Sequence, residues 1–199
     1  MLRTPHVLLA GATGSGKGGT IRSALAGALE AGWQAVVIDP KESGEYRWLD
    51  RLGVPVISNV VEQIEALQEI DALRQRRQAV VKACGADTWN QVPAEARSGW
   101  HPVLVVIDEA ADLLVPGKGK SAPEREYAAQ QHEAARLIAQ LVRKGRSAGV
   151  HVILAIQRPD TAQLGEQGGA LRNNPAWRSA PWTPRGSGWS ASRAPTRSR

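Results

Sequence analysis

The sequence predicts an α/β fold, a mainly parallel sheet with helices on both faces. Three observations predict it. Short, continuous apolar runs rich in β-branched residues occur at Val7 to Ala10, Ala35 to Ile38, Val103 to Ile107 and Val150 to Ile156. Such runs suit strands covered on both sides. Between them lie segments with apolar residues at helical spacing, the order expected of βαβ units. Each run also ends in polar residues, at the strand ends where open α/β sheets collect ligands. The chain has 199 residues, enough for one domain with a substantial core.

The first run leads into GATGSGKG, residues 11 to 18. Gly11, Gly14 and Gly16 let the backbone turn and approach a phosphate without Cβ clashes. The amides of Ala12, Thr13, Gly14, Ser15, Gly16 and Gly18 can then face a β-phosphate, and Lys17 can reach the β/γ oxygens. A helix from about Gly18 to Ala31, stopping at Gly32, adds its positive end. One departure stands out. The residue after the lysine is ordinarily Ser or Thr, whose hydroxyl holds Mg²⁺. Here it is Gly18. Thr20 is the candidate replacement, three residues and nearly one helical turn past Lys17.

The second run ends in Asp39-Pro40-Lys41. Lys41 is either a solvated turn residue or a group beside the phosphate. A short segment around Tyr46 to Leu52 follows, then a small strand over Val54 to Ser58. A long amphipathic helix runs from about Val60 to Cys84, with Val60, Ile64, Leu67 and Ile70 on one face. Arg74, Arg76 and Arg77 read as its solvated face. Residues 85 to 102 read as a loop that Trp89 and Trp100 pack down.

The third run, Val103 to Ile107, ends in Asp108-Glu109. Asp108 is placed to hold Mg²⁺, and Glu109 to polarise an attacking water as general base. The alternative is that both merely cap a helix beginning at Ala110. A second long helix, about Pro123 to Lys144, turns Ala134, Leu137, Ile138, Leu141 and Val142 inward. The fourth run ends in Gln157, which either senses a γ-phosphate or hydrogen-bonds the strand end.

GATGSGKG, IDPKESGEY, VLVVIDEAADLL and RKGRSAGVHVILAIQRPD stand in the order seen in the FtsK/SpoIIIE DNA-translocase motors. The resemblance covers roughly Pro5 to Asn174 and is similar to the actinobacterial TraB-like plasmid-transfer branch. It implies a P-loop NTPase of the additional-strand, catalytic-glutamate, RecA-like type. It further implies ATP and Mg²⁺ as cofactors, a homo-hexameric ring and double-stranded DNA as the partner moved by hydrolysis. By the same resemblance Lys17 is the P-loop lysine, Asp108 and Glu109 the metal-binding and catalytic acids, and Gln157 the sensor. Arg143 and Arg146 are the candidates for an arginine that reaches a neighbouring subunit's γ-phosphate. A non-catalytic nucleotide-binding remnant of such a motor is the alternative. A small-molecule P-loop kinase has no place for Asp108-Glu109 or the RSAG…QRPD block.

The net charge is +6, but it is unevenly spread. The last 25 residues hold five arginines and no acid, so residues 1 to 174 carry 20 Lys+Arg against 19 Asp+Glu. The domain is nearly neutral, and only Lys118 and Lys120 suggest a channel contact to DNA, the alternative being a flexible loop. The tail, 175 to 199, has no Leu, Ile, Val or Met yet three of the seven tryptophans. Every residue type in it except Thr has G/C-rich codons, as when a G/C-rich gene is read in a shifted frame. The alternative is a basic tail that contacts nucleic acid by charge and stacking. Either way its composition predicts disorder and a domain that stops before its next core strand. The lone Cys84 excludes an intrachain disulfide and a cysteine metal cluster and reads as a buried thiol. No run approaches the ~20 apolar residues of a membrane helix, so the expected location is the cytoplasm.

Overall fold

Each continuous apolar run is a strand. β1 (His6–Ala10), β2 (Gln34–Ile38), β4 (Val103–Ile107) and β5 (Val150–Ile156) form the body of the sheet. The short β3 (Val56–Ile57) and β6 (Trp177–Ser179) flank them. The structure, a computed structural model, describes residues 6–12, 14–117 and 119–157 and the backbone of 177–179. The strand order is β3-β2-β4-β5-β1-β6, and every pairing is parallel. β5 thus separates the strand carrying the glycine loop from the strand carrying Asp108. That is the additional strand of the predicted fold type.

Alternate residues of the strands feed two cores. Val36, Ile38, Val105, Ile107 and Leu154 pack against α2 (Val60–Ala83), α3 (Ala111–Leu114) and α4 (Ala122–Lys144). Val37, Leu104, Val106 and Ile153 pack against α1 (Lys17–Glu30), Tyr46 and Leu49. All five residues of β4 are buried, as a central parallel strand requires. The helix starts are locally encoded. Asn59 Oδ1 accepts the Val61 and Glu62 amides, and Ser121 forms a capping box with Glu124.

The structure corrects three expectations. Arg76 is exposed, but Arg74 and Arg77 are buried, because α4 and the turn before β5 cover that side of α2. Arg74 Nε donates to Asp71 Oδ1 at 2.7 Å. Burial pushes the Asp71 carboxyl up, but hydrogen bonds from Arg74 and Gln75 outweigh it and hold the group below its usual range. Arg77 donates to the carbonyls of Ala148 (3.2 Å) and His101 (2.9 Å) and lies over the Trp100 ring. Cys84 is exposed rather than buried, since it lies at the C-cap of α2, past the helix's packed face. Finally, the tail was expected to hold no strand, yet Trp177–Ser179 pairs with His6–Leu8. Backbone pairing along the open side of β1 needs no aliphatic side chain. The remainder of the tail lies outside the described residues. The two loop tryptophans behave as expected: Trp100 sits under Arg77, and Trp89 packs on Gly149.

One buried group makes stability depend on pH. His6 is fully buried, and its Nδ1 accepts the Val152 amide at 3.2 Å. Burial, then the charge of His151, lowers its pKa from 6.5 to about 3. The unfolded chain therefore binds the proton first as pH falls. Stability present above about pH 6.5 should be lost on descending toward pH 3, at up to about 1.4 kcal/mol per pH unit. Urea midpoints between pH 7.5 and 5 should fall accordingly, and His6→Gln should flatten the profile. An equally steep profile in that variant contradicts the assignment.

Candidate active site

β1 carries the chain to the C-terminal edge of the sheet. There the Gly11 amide donates to the Ile156 carbonyl at 3.1 Å. The loop turns through Gly14 (φ 79°) and Gly16 (φ 88°), a left-handed region that side chains disfavour. A Cβ on Gly11 would collide with Ser15 Oγ, which is itself buried without a hydrogen-bond partner among the described residues. Gly16 begins α1 with no side-chain cap and no acid in the first turn. The first amides of the helix are left to an external acceptor, and the helix dipole favours an anion there. Lys17 Nζ donates to the Ile156 carbonyl at 3.2 Å, which tethers the ammonium at the end of β5. Thr13 lies outside the described residues.

The acid pair stands across β5. Asp108 and Ala110 are pinned by backbone bonds to Ile38 and Ala155. Between them Glu109 adopts φ 47°, a conformation that costs a residue bearing Cβ about 1–3 kcal/mol. Asp108 Oδ1 accepts the Glu109 amide at 2.9 Å, and Oδ2 accepts the Tyr46 hydroxyl at 2.8 Å. Burial, then the Asp108 carboxylate, pushes the Tyr46 phenol well above its ordinary range, so it stays a donor. Glu109 Oε2 accepts from Gln157 Nε2 at 3.2 Å and faces Lys41 Nζ at 3.7 Å. Lys41 also faces Asp112 at 3.8 Å. Burial pushes that carboxyl up, Lys41 draws it down and Glu109 adds to the rise. The helix-cap alternative does not hold, because α3 starts after Ala110 with no side-chain cap. Gln157 bonds Glu109 rather than its own strand end, and Lys41 is a site residue rather than a free turn residue.

A third wall comes from the loop after β2. Asp39 is buried, and its Oδ2 accepts both the amide and the hydroxyl of Ser43 at 2.8 Å. The Glu45 amide donates to Ser43 Oγ at 3.3 Å. Trp48 beyond it carries Arg22 over its ring at 5.0 Å. These walls enclose about 610 Å³, lined by residues of the glycine loop with Lys41, Glu45, Asp108 and Glu109. Asp39, Ser43, Glu45 and Tyr46 carried no role in the sequence reading. Their signal was the polar cluster IDPKESGEY at a strand's ligand edge.

Three predicted residues are not brought to this cavity. Thr20 Oγ1 turns back to the Gly16 carbonyl at 3.3 Å, one helical turn below, and lines a different, largely apolar hollow of about 850 Å³ between α1 and the sheet. Arg143 and Arg146 are exposed at the start of β5, the opposite edge of the sheet. The seven residues of β5 put them about 20 Å from Ile156. Lys120 is exposed beside the capping box of α4, and Lys118 lies outside the described residues. Among the described residues no helix is long and apolar enough to cross a membrane.

The residues fit a magnesium nucleotide. The uncapped amides, the orphaned Ser15 hydroxyl and Lys17 suit phosphate oxygens, and Asp108 supplies a carboxylate beside them. The chain is 34% identical over 167 residues to the DNA translocase FtsK of Helicobacter pylori (strain ATCC 700392 / 26695), covering 79% of this chain and 18% of that protein. It is 33% identical over 175 residues to DNA translocase FtsK of Lactococcus lactis subsp. cremoris (strain MG1363), covering 80% and 22%. The chain therefore spans about a fifth of the length of these relatives. Among solved structures it is similar to the pCW3 conjugation coupling protein TcpA, monomer form with ATPγS. The TM-score is 0.76 at 26% identity, over 86% of this chain and 47% of that one. It shares the fold of the Thermomonospora curvata type VII secretion ATPase EccC, with a TM-score of 0.59 at 24% identity, over 84% and 19%. The FtsK/SpoIIIE profile matches residues 2–161, and the chain belongs to the FtsK/SpoIIIE family.

Proposed function

We propose that this chain is an ATP-binding motor domain that couples ATP hydrolysis to movement of double-stranded DNA in conjugative or chromosomal DNA transfer. The observation that carries this reading is the meeting of Lys17, Asp108, Glu109 and Gln157 at one edge of the sheet in an FtsK/SpoIIIE chain. Relatives named DNA translocases and a coupling protein solved with ATPγS support it. Residues 1 to 174 are the ATPase unit, and the basic tail, 175 to 199, adds the edge strand β6 to its sheet.

In this reading the amides from Gly11 to Gly18 cradle the β-phosphate, and Lys17 bridges the β/γ oxygens. Asp108 would hold Mg²⁺, which would supply charge neutralisation when bound. Glu109 takes the proton of a water that attacks the γ-phosphorus in line, while the bond to the ADP oxygen breaks. Gln157 fixes the Glu109 carboxylate and orients the water. Lys41 holds Glu109 until nucleotide arrives. The domain works in the cytoplasm as a homo-hexameric ring with duplex DNA at its centre, and Lys118 and Lys120 are its channel candidates.

Steady-state hydrolysis by the 199-residue chain, with and without linear duplex DNA, tests the proposal. Turnover should rise with duplex and fall with salt. Nucleotide binding without turnover under either condition would leave a non-catalytic binding module. Absence of binding would overturn the site itself.

The arginines give a separate expectation. Arg143 and Arg146 cannot reach their own cavity, so either acts on a neighbour's. Loss of such a finger should cost roughly 10³–10⁵ in rate while sparing binding. Mixing Arg143→Ala, Arg146→Ala chains with Lys17→Ala chains should restore part of the activity, since a mixed interface that sets the intact arginines against the intact Lys17 rebuilds one complete site. No recovery in an otherwise active ring would assign the finger elsewhere.

A further inference from the structure

The phosphate loop lacks the hydroxyl that normally follows its lysine, and the structure shows what stands in that space. A Cβ placed on Gly18 would lie 2.5 Å from Glu45 Oε2, 3.5 Å from its Cδ and 4.0 Å from its Oε1. The three nearest atoms all belong to the Glu45 carboxylate. A Ser or Thr at position 18 would project its oxygen into the volume that this carboxylate holds.

Glu45 is delivered there by a built loop. Asp39 takes the amide and hydroxyl of Ser43, whose Oγ in turn accepts the Glu45 amide. The next residue, Tyr46, is buried and hydrogen-bonded to Asp108. Glu45 and Asp108 therefore line one cavity with Lys17, although they are 63 positions apart in sequence. Among the described residues the Glu45 carboxylate accepts no hydrogen bond and makes no ion pair. Mg²⁺ is commonly held by one or two carboxylates together with substrate phosphates and waters. A second carboxylate beside Asp108 falls within that number and occupies the space that the P-loop hydroxyl would take.

We propose that Glu45 replaces the missing P-loop hydroxyl and serves, with Asp108, as a protein ligand to the divalent cation of the bound nucleotide. The proposal rests on the magnesium-nucleotide reading of this cavity. It also explains Gly18, since any side chain there would displace the carboxylate. A carboxylate differs from a hydroxyl in one testable way. Its full negative charge attracts the cation but repels metal-free ATP. Glu45 should therefore strengthen nucleotide binding with metal and weaken it without.

The test titrates fluorescent ATPγS onto the full chain in excess Mg²⁺ and in EDTA, with Mn²⁺ paramagnetic resonance reading the cation directly. Loss of an outer partner of a metal ligand already costs roughly 10–100-fold in metal affinity. Glu45→Gln should thus lose at least about tenfold of the affinity gained on adding Mg²⁺, while its binding in EDTA is equal or tighter. The EDTA arm also reports that the pocket is folded. Adding Gly18→Ser to Glu45→Ala should restore the metal-dependent gain, because the hydroxyl then occupies the vacated space. An unchanged Mg²⁺ gain in Glu45→Gln overturns the proposal. So does equal weakening with and without metal, or no recovery in the Gly18→Ser, Glu45→Ala chain. If the parent chain binds no nucleotide in either condition, the nucleotide reading itself fails and this proposal with it.

Discussion

Lys17→Ala should abolish nucleotide binding. The lysine is half-buried at the mouth of the loop, and its Nζ donates to the Ile156 carbonyl at 3.2 Å. It lines the cavity within the loop itself, and it faces a ligand of high negative charge. Truncating one member of such a hydrogen-bonded charge pair costs about 2–5 kcal/mol. Affinity should therefore fall by roughly two orders of magnitude or more. The fold should survive, because the only bond lost from the described structure is to one carbonyl that Gly11 also uses. Calorimetric titration with ATPγS, paired with a melting curve, reads both. Parent-like affinity in a folded variant would mean that the loop does not bind phosphate.

Glu109→Gln should keep nucleotide affinity and lose turnover. The substitution preserves shape and leaves an amide oxygen to accept from Gln157, but it removes the proposed proton acceptor. General-base loss costs typically 10²–10⁴-fold. Single-turnover hydrolysis with duplex DNA present is the appropriate measurement, since product release then does not mask chemistry. The strained backbone at Glu109 supports the role. A left-handed residue that is not glycine persists only where its surroundings hold it, and here Lys41, Gln157 and the pinned neighbours do so. Unchanged turnover would return Glu109 to a structural part.

Much of this could be read from local pattern. The predicted bounds of β4 and β5 coincide with the observed ones, because continuous apolar β-branched runs have few other uses. The start of α2 at Val60 is predicted from apolar spacing and that of α4 to within one residue, and the structure adds the Asn59 cap and the Ser121–Glu124 capping box that fix them. The misreadings share a cause. Arg74 and Arg77 read as surface residues from their charge, although at i+4 and i+7 from Ile70 they fall on the apolar face of α2, and their partners on Asp71, Ala148 and His101 make burial tolerable. Thr20 was considered for its chemistry, but helical geometry turns its hydroxyl into the preceding turn. Glu45 escaped notice because nothing in sequence links it to Gly18.

The sequence alone determined the kinds and order of elements, the glycine loop and the acids at a strand end. These follow from side-chain periodicity, glycine's access to positive φ and contacts between near neighbours. Tertiary structure decided which strand ends meet. It set β5 between β1 and β4, and so joined Lys17 to Ile156 across 139 positions, Tyr46 to Asp108 across 62, and Glu109 to Gln157 across 48. Parallel strand order is fixed by pairing and core packing between distant segments, for which no local pattern is a signature. That is why the loop's missing hydroxyl was visible in the sequence, and the carboxylate standing in its place was not.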